Sequence, residues 1–152
     1  MYDYLDRPVT SLDHGGRFLI WSTRSWVKAM AEKVCPASVI APAFSRWNML
    51  GGLQPFLRMM ILFNRHGLEN FQFCALQCNH VSEHEALIII LVRGSRETSP
   101  YQFRETLGLV VEDEAVADLI LMLSRFSRAM DAAGICPRPP VGSSPSQSSG
   151  AC

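Results

Sequence analysis

The stretch EDEAVADLILMLSRFSRAMDAAG, residues Glu112 to Gly134, decides the fold. Its apolar residues recur at the three- and four-residue spacing of a helix and form one stripe. The stripe consists of Val116, Leu119, Ile120, Leu123, Phe126 and Met130. Acidic residues fill the first turn and arginines lie toward the end, as the helix dipole favours. A helix this apolar is typical of the centre of a bundle or of a contact with a second subunit.

Two further helices are predicted near the N-terminus. Apolar spacing predicts the first from about Gly16 to Val34. Its buried face would consist of Leu19, Trp26, Val27, Met30 and Val34. The second helix follows Pro36 and ends at Gly51 and Gly52. We expect a kink or a restart at Pro42, because proline has no amide hydrogen to donate inside a helix.

Between residues 55 and 110 the sequence predicts shorter helices. One begins near Pro55 and ends at Gly67, a residue type common just after a helix. Residues 68–78 fit either a strand or a short helix. The next segment, SEHEALIIILVRG, begins with Ser82 and Glu85 in the spacing of a capping box, which favours a helix over a buried strand. Residues 101–110 form one more short helix.

These elements predict an all-α protein, a compact bundle of about five to six helices. The single helical domain would cover residues 1–134. From residue 135 to residue 152 proline, serine and glycine dominate and large apolar residues become rare. Such a segment cannot bury enough apolar surface to order its backbone, so we expect a disordered C-terminal tail.

Composition and charge narrow the function classes. Fourteen Lys+Arg balance fourteen Asp+Glu, so there is no overall attraction to nucleic acid or anionic membrane. Only 18% of the residues are charged, which leaves apolar surface for a partner. No signal peptide is visible, and the longest apolar run, Ala86 to Val92, is too short to span a membrane. Five cysteines, an odd number with scattered spacing, indicate a reducing and therefore cytoplasmic location.

Two cysteines and two histidines lie in CALQCNHVSEH, residues 74–84. Thiolate and imidazole are ligands of zinc and iron. On one continuous helix the two pairs would lie on separate faces. A bend before a helix that starts at Ser82 would let Cys74, Cys78 and His84 converge, with His80 as a possible fourth ligand. The alternative is that the cysteines are small buried residues and that no cofactor is bound.

A basic row is predicted on the first helix. Its members are spaced i, i+4, i+7 and i+11, and they are Arg17, Trp21, Arg24 and Lys28. A row of this kind can contact phosphates, anionic lipid or an acidic partner. The alternative is a solvated face with Trp21 partly packed beside it.

No catalytic motif is recognisable. The sequence has no G-x-S-x-G, no G-x-G-x-x-G and no Walker loop, so we lean against an enzyme. A helix-turn-helix around residues 74–90 would need a polar recognition helix. Residues 87–92 are all apolar, which argues against nucleic-acid binding. The leading hypothesis is a small cytosolic interaction or regulatory protein that associates with itself, or with a protein partner, through apolar helices. The second is a metal- or thiol-based sensor that uses Cys74, Cys78 and His84.

Overall fold

The computed structural model describes residues 3–140, and within that range it contains six α-helices and no strand. A short 3-10 helix, Val9–Ser11, precedes them. The helices are α1 (His14–Ala31), α2 (Pro36–Arg46), α3 (Leu50–His66), α4 (Glu83–Glu97), α5 (Pro100–Gly108) and α6 (Asp113–Ala132). The predicted all-α fold is confirmed. Among the described helices, none has both the length and the apolar character needed to cross a membrane.

Helix α6 lies at the centre of the packing. It packs most extensively against α3 and also contacts α4 and α5. The predicted stripe faces the core, with Val116, Leu119, Leu123, Phe126 and Met130 buried and Ile120 partly buried. The Phe126 ring lies 5.6 Å from the ring of Phe56 and 6.4 Å from that of Phe44, measured between centroids. The apolar stripe is therefore buried by helices of the same chain.

Helix α3 begins at Leu50, well before the predicted start near Pro55. Gly51 and Gly52 lie inside this helix instead of ending α2. A Cβ atom on Gly52 would lie 2.9 Å from Cε of Met49 and 3.0 Å from Cβ of Ala129. The second glycine therefore serves the close approach of α3 to α6. Pro42 likewise lies within α2, which continues through it without a restart.

The buried face of α1 differs from the predicted one at its C-terminal end. Leu19 and Trp26 are buried as predicted, whereas Met30 and Val34 are close to half exposed. The helix ends at Ala31, and Lys33 adopts a left-handed backbone with φ of 57°. This turn carries Val34 away from the core.

The capping box predicted at the start of α4 is present. The Ser82 side chain accepts a hydrogen bond from the Glu85 amide, and the Glu85 carboxylate accepts one from the Ser82 amide. Residues 68–81 contain neither helix nor strand, so both predictions for 68–78 are wrong. This loop is held against the N-terminal segment, where the Val81 amide donates to the Arg7 carbonyl at 2.9 Å.

The packed chain extends past the predicted domain boundary at residue 134. Ile135 is buried, and the Tyr4 hydroxyl donates to the carbonyl of Arg138 at 2.9 Å. The Arg138 amide in turn donates to Asp13 Oδ2 at 2.9 Å. Residues 135–140 therefore belong to the domain, and the prediction of a tail from 135 is wrong for them. The rest of the predicted tail, 141–152, lies outside the described residues.

Candidate functional site

The two groups of residues singled out from the sequence meet at the side chain of Arg24. Helix α1 carries this arginine into the interior, where it is 3% exposed. Its Nε donates to Glu85 Oε1 at 2.7 Å and its Nη2 to Glu85 Oε2 at 3.0 Å. Glu85, at the start of α4, is 0% exposed. The result is a bidentate ion pair shielded from water, the strongest common geometry for these two groups.

The guanidinium also binds the backbone of the cysteine loop. Its Nη1 donates to the carbonyl of Ala75 at 3.1 Å and to that of Cys78 at 2.6 Å. Its Nη2 donates to the carbonyl of His80 at 2.7 Å. The hydrogen bond with Glu85 raises the pKa of Arg24 above its usual value. Arg24 is therefore engaged at all three nitrogens and unavailable to an external phosphate or acidic partner, which corrects the prediction for this residue.

The carboxylate of Glu85 binds the same loop from the other side. Oε1 accepts a hydrogen bond from the Cys74 amide at 3.2 Å, and Oε2 accepts one from the Ser82 amide at 2.9 Å. Arg24 and Glu85 together thus fix the backbone at both cysteines and at the start of α4. We call this pair the Arg24–Glu85 clamp.

The other members of the predicted basic row make separate contacts within the chain. Arg17 donates through Nε to the Leu12 carbonyl at 2.9 Å. Lys28 pairs with Glu32 at 3.6 Å near the end of the helix. Trp21 is partly exposed. Arg17, Trp21 and Arg24, without Lys28, line a shallow cleft of about 390 Å³ together with Cys78.

The structure does not bring Cys74, Cys78 and His84 together around one point. The predicted bend before Ser82 exists, yet His84 faces elsewhere. Its Nδ1 accepts a hydrogen bond from the Gln72 amide at 3.0 Å. Its ring lies 4.8 Å from the ring of Phe71, measured between centroids. His80 meets the clamp through its backbone carbonyl, while the residue itself is exposed.

Across residues 3–140, one group of three metal-binding side chains has all its ligand atoms within 4.8 Å of one another. It consists of His66, Glu112 and Glu114. His66 Nδ1 lies 2.9 Å from Glu112 Oε2 and 3.3 Å from Glu114 Oε1. Both glutamates are exposed and lie at the start of α6, where the helix dipole favours acids. Surface hydrogen bonding between His66 and Glu112 accounts for this cluster.

The thiols of Cys74 and Cys78 interact with each other. Burial raises the pKa of Cys74, and a hydrogen bond with the Cys78 thiol and the charge of Glu85 act in the same direction. The Cys78 thiol also lies 3.8 Å from the carbonyl of His80. Both cysteines are free and partly exposed. The clamp therefore holds the backbone of a loop that carries two free, partly exposed cysteines.

A second surface of interest lies where α3 and α6 run side by side. A groove of about 700 Å³ between them is lined by apolar residues, including Leu50, and by Arg58, Arg125 and Arg128. Arg58 pairs with Asp118 at 3.7 Å. This surface was not predicted from the sequence, because the groove forms only where α3 packs on α6.

No family model, curated protein or solved structure matches the chain.

Proposed function

We propose that this chain is a cytosolic helical interaction protein that associates with itself. The supporting observation is the amount of apolar side chain left exposed on rigid helices. Leu50 on α3 is 56% exposed and Leu121 on α6 is 45% exposed. Exposed apolar surface on a folded helix is often a contact site for another protein.

The arrangement of the charged side chains favours binding of a protein partner over catalysis. Arg24 and Glu85, the most buried charged pair, bind each other and the backbone of the cysteine loop. Catalytic groups must keep a hydrogen-bonding position open toward a substrate. The arginines of the α3–α6 groove are exposed and better placed to meet a macromolecular partner.

Sedimentation velocity and light scattering on the full chain over a wide concentration range test this proposal. The expected result is a mass that rises from the 17.0 kDa of one chain toward twice that value as concentration increases. A mass of one chain at every concentration would refute self-association.

A second candidate function is a thiol-based sensor, supported by the position of two free cysteines, Cys74 and Cys78, in the loop that the clamp holds. In this hypothesis the two thiols give two electrons and two protons to a peroxide and become an intramolecular disulfide. Hydrogen peroxide is thereby reduced to two waters, and an organic hydroperoxide to an alcohol and one water. A Cys35→Ser background removes the exposed thiol directly before α2. Peroxide followed by mass spectrometry of the peptide containing residues 74–78 should show loss of two hydrogen atoms. Stepwise gain of oxygen at both thiols would contradict the hypothesis.

The metal form of this hypothesis has its own test. Zinc titrated into the reduced protein should bind at one equivalent if Cys74 and Cys78 serve as ligands. Replacing both with serine should then abolish zinc binding. The matched control is Cys35→Ser, which should retain it. Zinc retention by the double variant would exclude these cysteines as ligands.

A further inference from the structure

The exposed face of α6 carries charges in an order that is its own complement. Five exposed residues recur at i, i+4, i+7, i+11 and i+14, and at 100° per residue they span about 80° of the helix surface. They are Glu114, Asp118, Leu121, Arg125 and Arg128, and we call them the α6 stripe. Its N-terminal half is acidic, its C-terminal half is basic, and Leu121 lies between the halves.

Building on the proposed self-association, we propose that α6 packs antiparallel against α6 of a second copy, about a two-fold axis at Leu121. Glu114 lies seven residues before Leu121, and Arg128 lies seven residues after it. The axis therefore sets Glu114 against Arg128 of the partner subunit. Asp118 and Arg125 of the partner subunit pair closer to the axis, and the two leucines meet on it.

The arginines of the stripe are available for this contact. Arg125 and Arg128 form no ion pair with any carboxylate in the described part of the chain. Both border the α3–α6 groove, where Leu50 supplies apolar surface. The acidic half of a partner's stripe would lie along this groove. It would bring carboxylates to unpaired arginines and cover exposed leucine in the same step.

The contacts that the two acidic residues of the stripe already make do not oppose the pairing. Glu114 Oε1 lies 3.3 Å from His66 Nδ1, and the glutamate side chain is largely exposed. Asp118 forms an ion pair. Its partner within the chain is Arg58 on α3, at 3.7 Å, and both side chains are more than half exposed. Exposed pairs of this kind contribute about 0–1 kcal/mol, so Asp118 can exchange or share its arginine easily. Arg58 then stays beside Asp118 at the rim of the new contact.

The size of the surface sets the expected affinity. A five-residue stripe with the neighbouring groove is smaller than the standard interface of about 800 Å² per partner. We therefore expect dissociation constants of about micromolar order, and weaker association at high salt because the pairs are exposed. A second copy fits the stripe because one row supplies both the acidic and the basic halves.

A charge exchange tests the proposal in the full chain. One variant carries Arg125→Glu and Arg128→Glu, which makes its stripe entirely acidic. The other carries Glu114→Lys and Asp118→Lys, which makes its stripe entirely basic. Each variant alone should dissociate at least about tenfold more readily than the natural chain, because like charges then face each other. An equimolar mixture of the two should restore the dimer.

The matched control is Arg104→Glu with Glu105→Lys, two exposed residues of α5 that lie outside the stripe. This variant should dimerise like the natural chain. Circular dichroism checks that each variant keeps the helical content of the natural protein. A natural dimer whose two charge variants also remain dimeric would overturn the α6 pairing and leave self-association standing. A natural chain that stays monomeric would overturn both.

Cross-linking at the axis gives a second readout that does not rely on charge. Leu121→Cys places a thiol opposite its own copy, so mild oxidation should yield a covalent dimer of two chains. Leu109→Cys provides the control, because Leu109 is highly exposed and lies directly after α5, outside the stripe. Equal cross-linking at the two positions would contradict a two-fold axis at Leu121.

Discussion

Replacing Arg24 with methionine should destabilise the protein by about 3–5 kcal/mol. The substitution keeps a long apolar side chain in the interior of α1 and removes only the charge and its donors. The Glu85 carboxylate, 0% exposed, would then be buried without a counter-charge. Its remaining donors are the amides of Cys74 and Ser82, at 3.2 and 2.9 Å. Two neutral amides offset only part of the desolvation that the ion pair now offsets.

The three loop carbonyls add little to this loss. Ala75, Cys78 and His80 lie in an exposed or partly exposed loop, where water can replace the guanidinium as donor. The uncompensated carboxylate therefore dominates the change in the free energy of unfolding. A domain of this size has a total stability of about 5–15 kcal/mol, so the variant should lose a large fraction of it.

Urea unfolding at neutral pH, followed by far-ultraviolet circular dichroism, measures the effect. With a slope of about 2 kcal/mol per molar urea, the midpoint should fall by about 2 M. Arg17→Met is the matched control on the same helix. Its guanidinium binds the carbonyl of Leu12 and has no buried carboxylate partner, so the loss should stay below about 1 kcal/mol.

A double variant, Arg24→Met with Glu85→Met, separates the charge effect from packing. It replaces the pair by two apolar side chains and leaves no buried charge, so it should be more stable than Arg24→Met alone. An Arg24→Met midpoint that matches the Arg17→Met control would refute the reasoning. So would a double variant less stable than the single one, because the orphaned carboxylate would then carry none of the cost.

Three further predictions concern the ends of the packed chain and the start of α4. Burial raises the pKa of Tyr4 above its ordinary 10.0. The stability that the protonated Tyr4 hydroxyl contributes is therefore complete below pH 10 and is lost as the pH rises through the raised pKa. Between about pH 9 and pH 12 the free energy of unfolding should fall more steeply for the natural chain than for Tyr4→Phe. Gly15→Ala would place a Cβ 1.8 Å from the Ile135 carbonyl oxygen, so residues 135–140 should lose protection from hydrogen exchange, while Gly108→Ala, with open space around its Cβ, should not change it. Ser82→Ala removes the cap of α4 and should cost about 1 kcal/mol in thermal or urea unfolding, with Ser99→Ala at the start of α5 as a comparable cap removal that leaves the clamp untouched.

Local signals predicted the helices correctly where local interactions decide them. The apolar spacing of α6 and the capping box at Ser82 and Glu85 act over a few residues, and both are found as expected. The start of α3 depends on a distant contact, because Gly52 lies against Ala129 of α6. No local pattern in the sequence indicates this contact between α3 and α6. Gly51 and Gly52 were therefore predicted to end a helix.

The Arg24–Glu85 clamp could not be predicted from the sequence either, because it also depends on a contact between distant residues. Spacing alone made Arg24 one member of an exposed basic row, since its partner Glu85 lies 61 residues further along the chain. A weak signal existed in the neighbours of Arg24. Ser22, Thr23 and Ser25 are small, and all are buried. The Ser22 hydroxyl donates to the carbonyl of Phe18 in its own helix, so this polar face of α1 can be covered without loss.

Glu85 meets two structural requirements that usually fall to different residues. As the third residue of α4 it completes the capping box, a role that leaves most glutamates in contact with water. Here α1 covers it, and Arg24 makes that burial tolerable by supplying charge and donors. The start of α4, the middle of α1 and the cysteine loop therefore form one cooperative unit. The same unit fixes the backbones of Cys74 and Cys78, so the relative position of the two cysteines depends on the clamp more than on their spacing in the sequence.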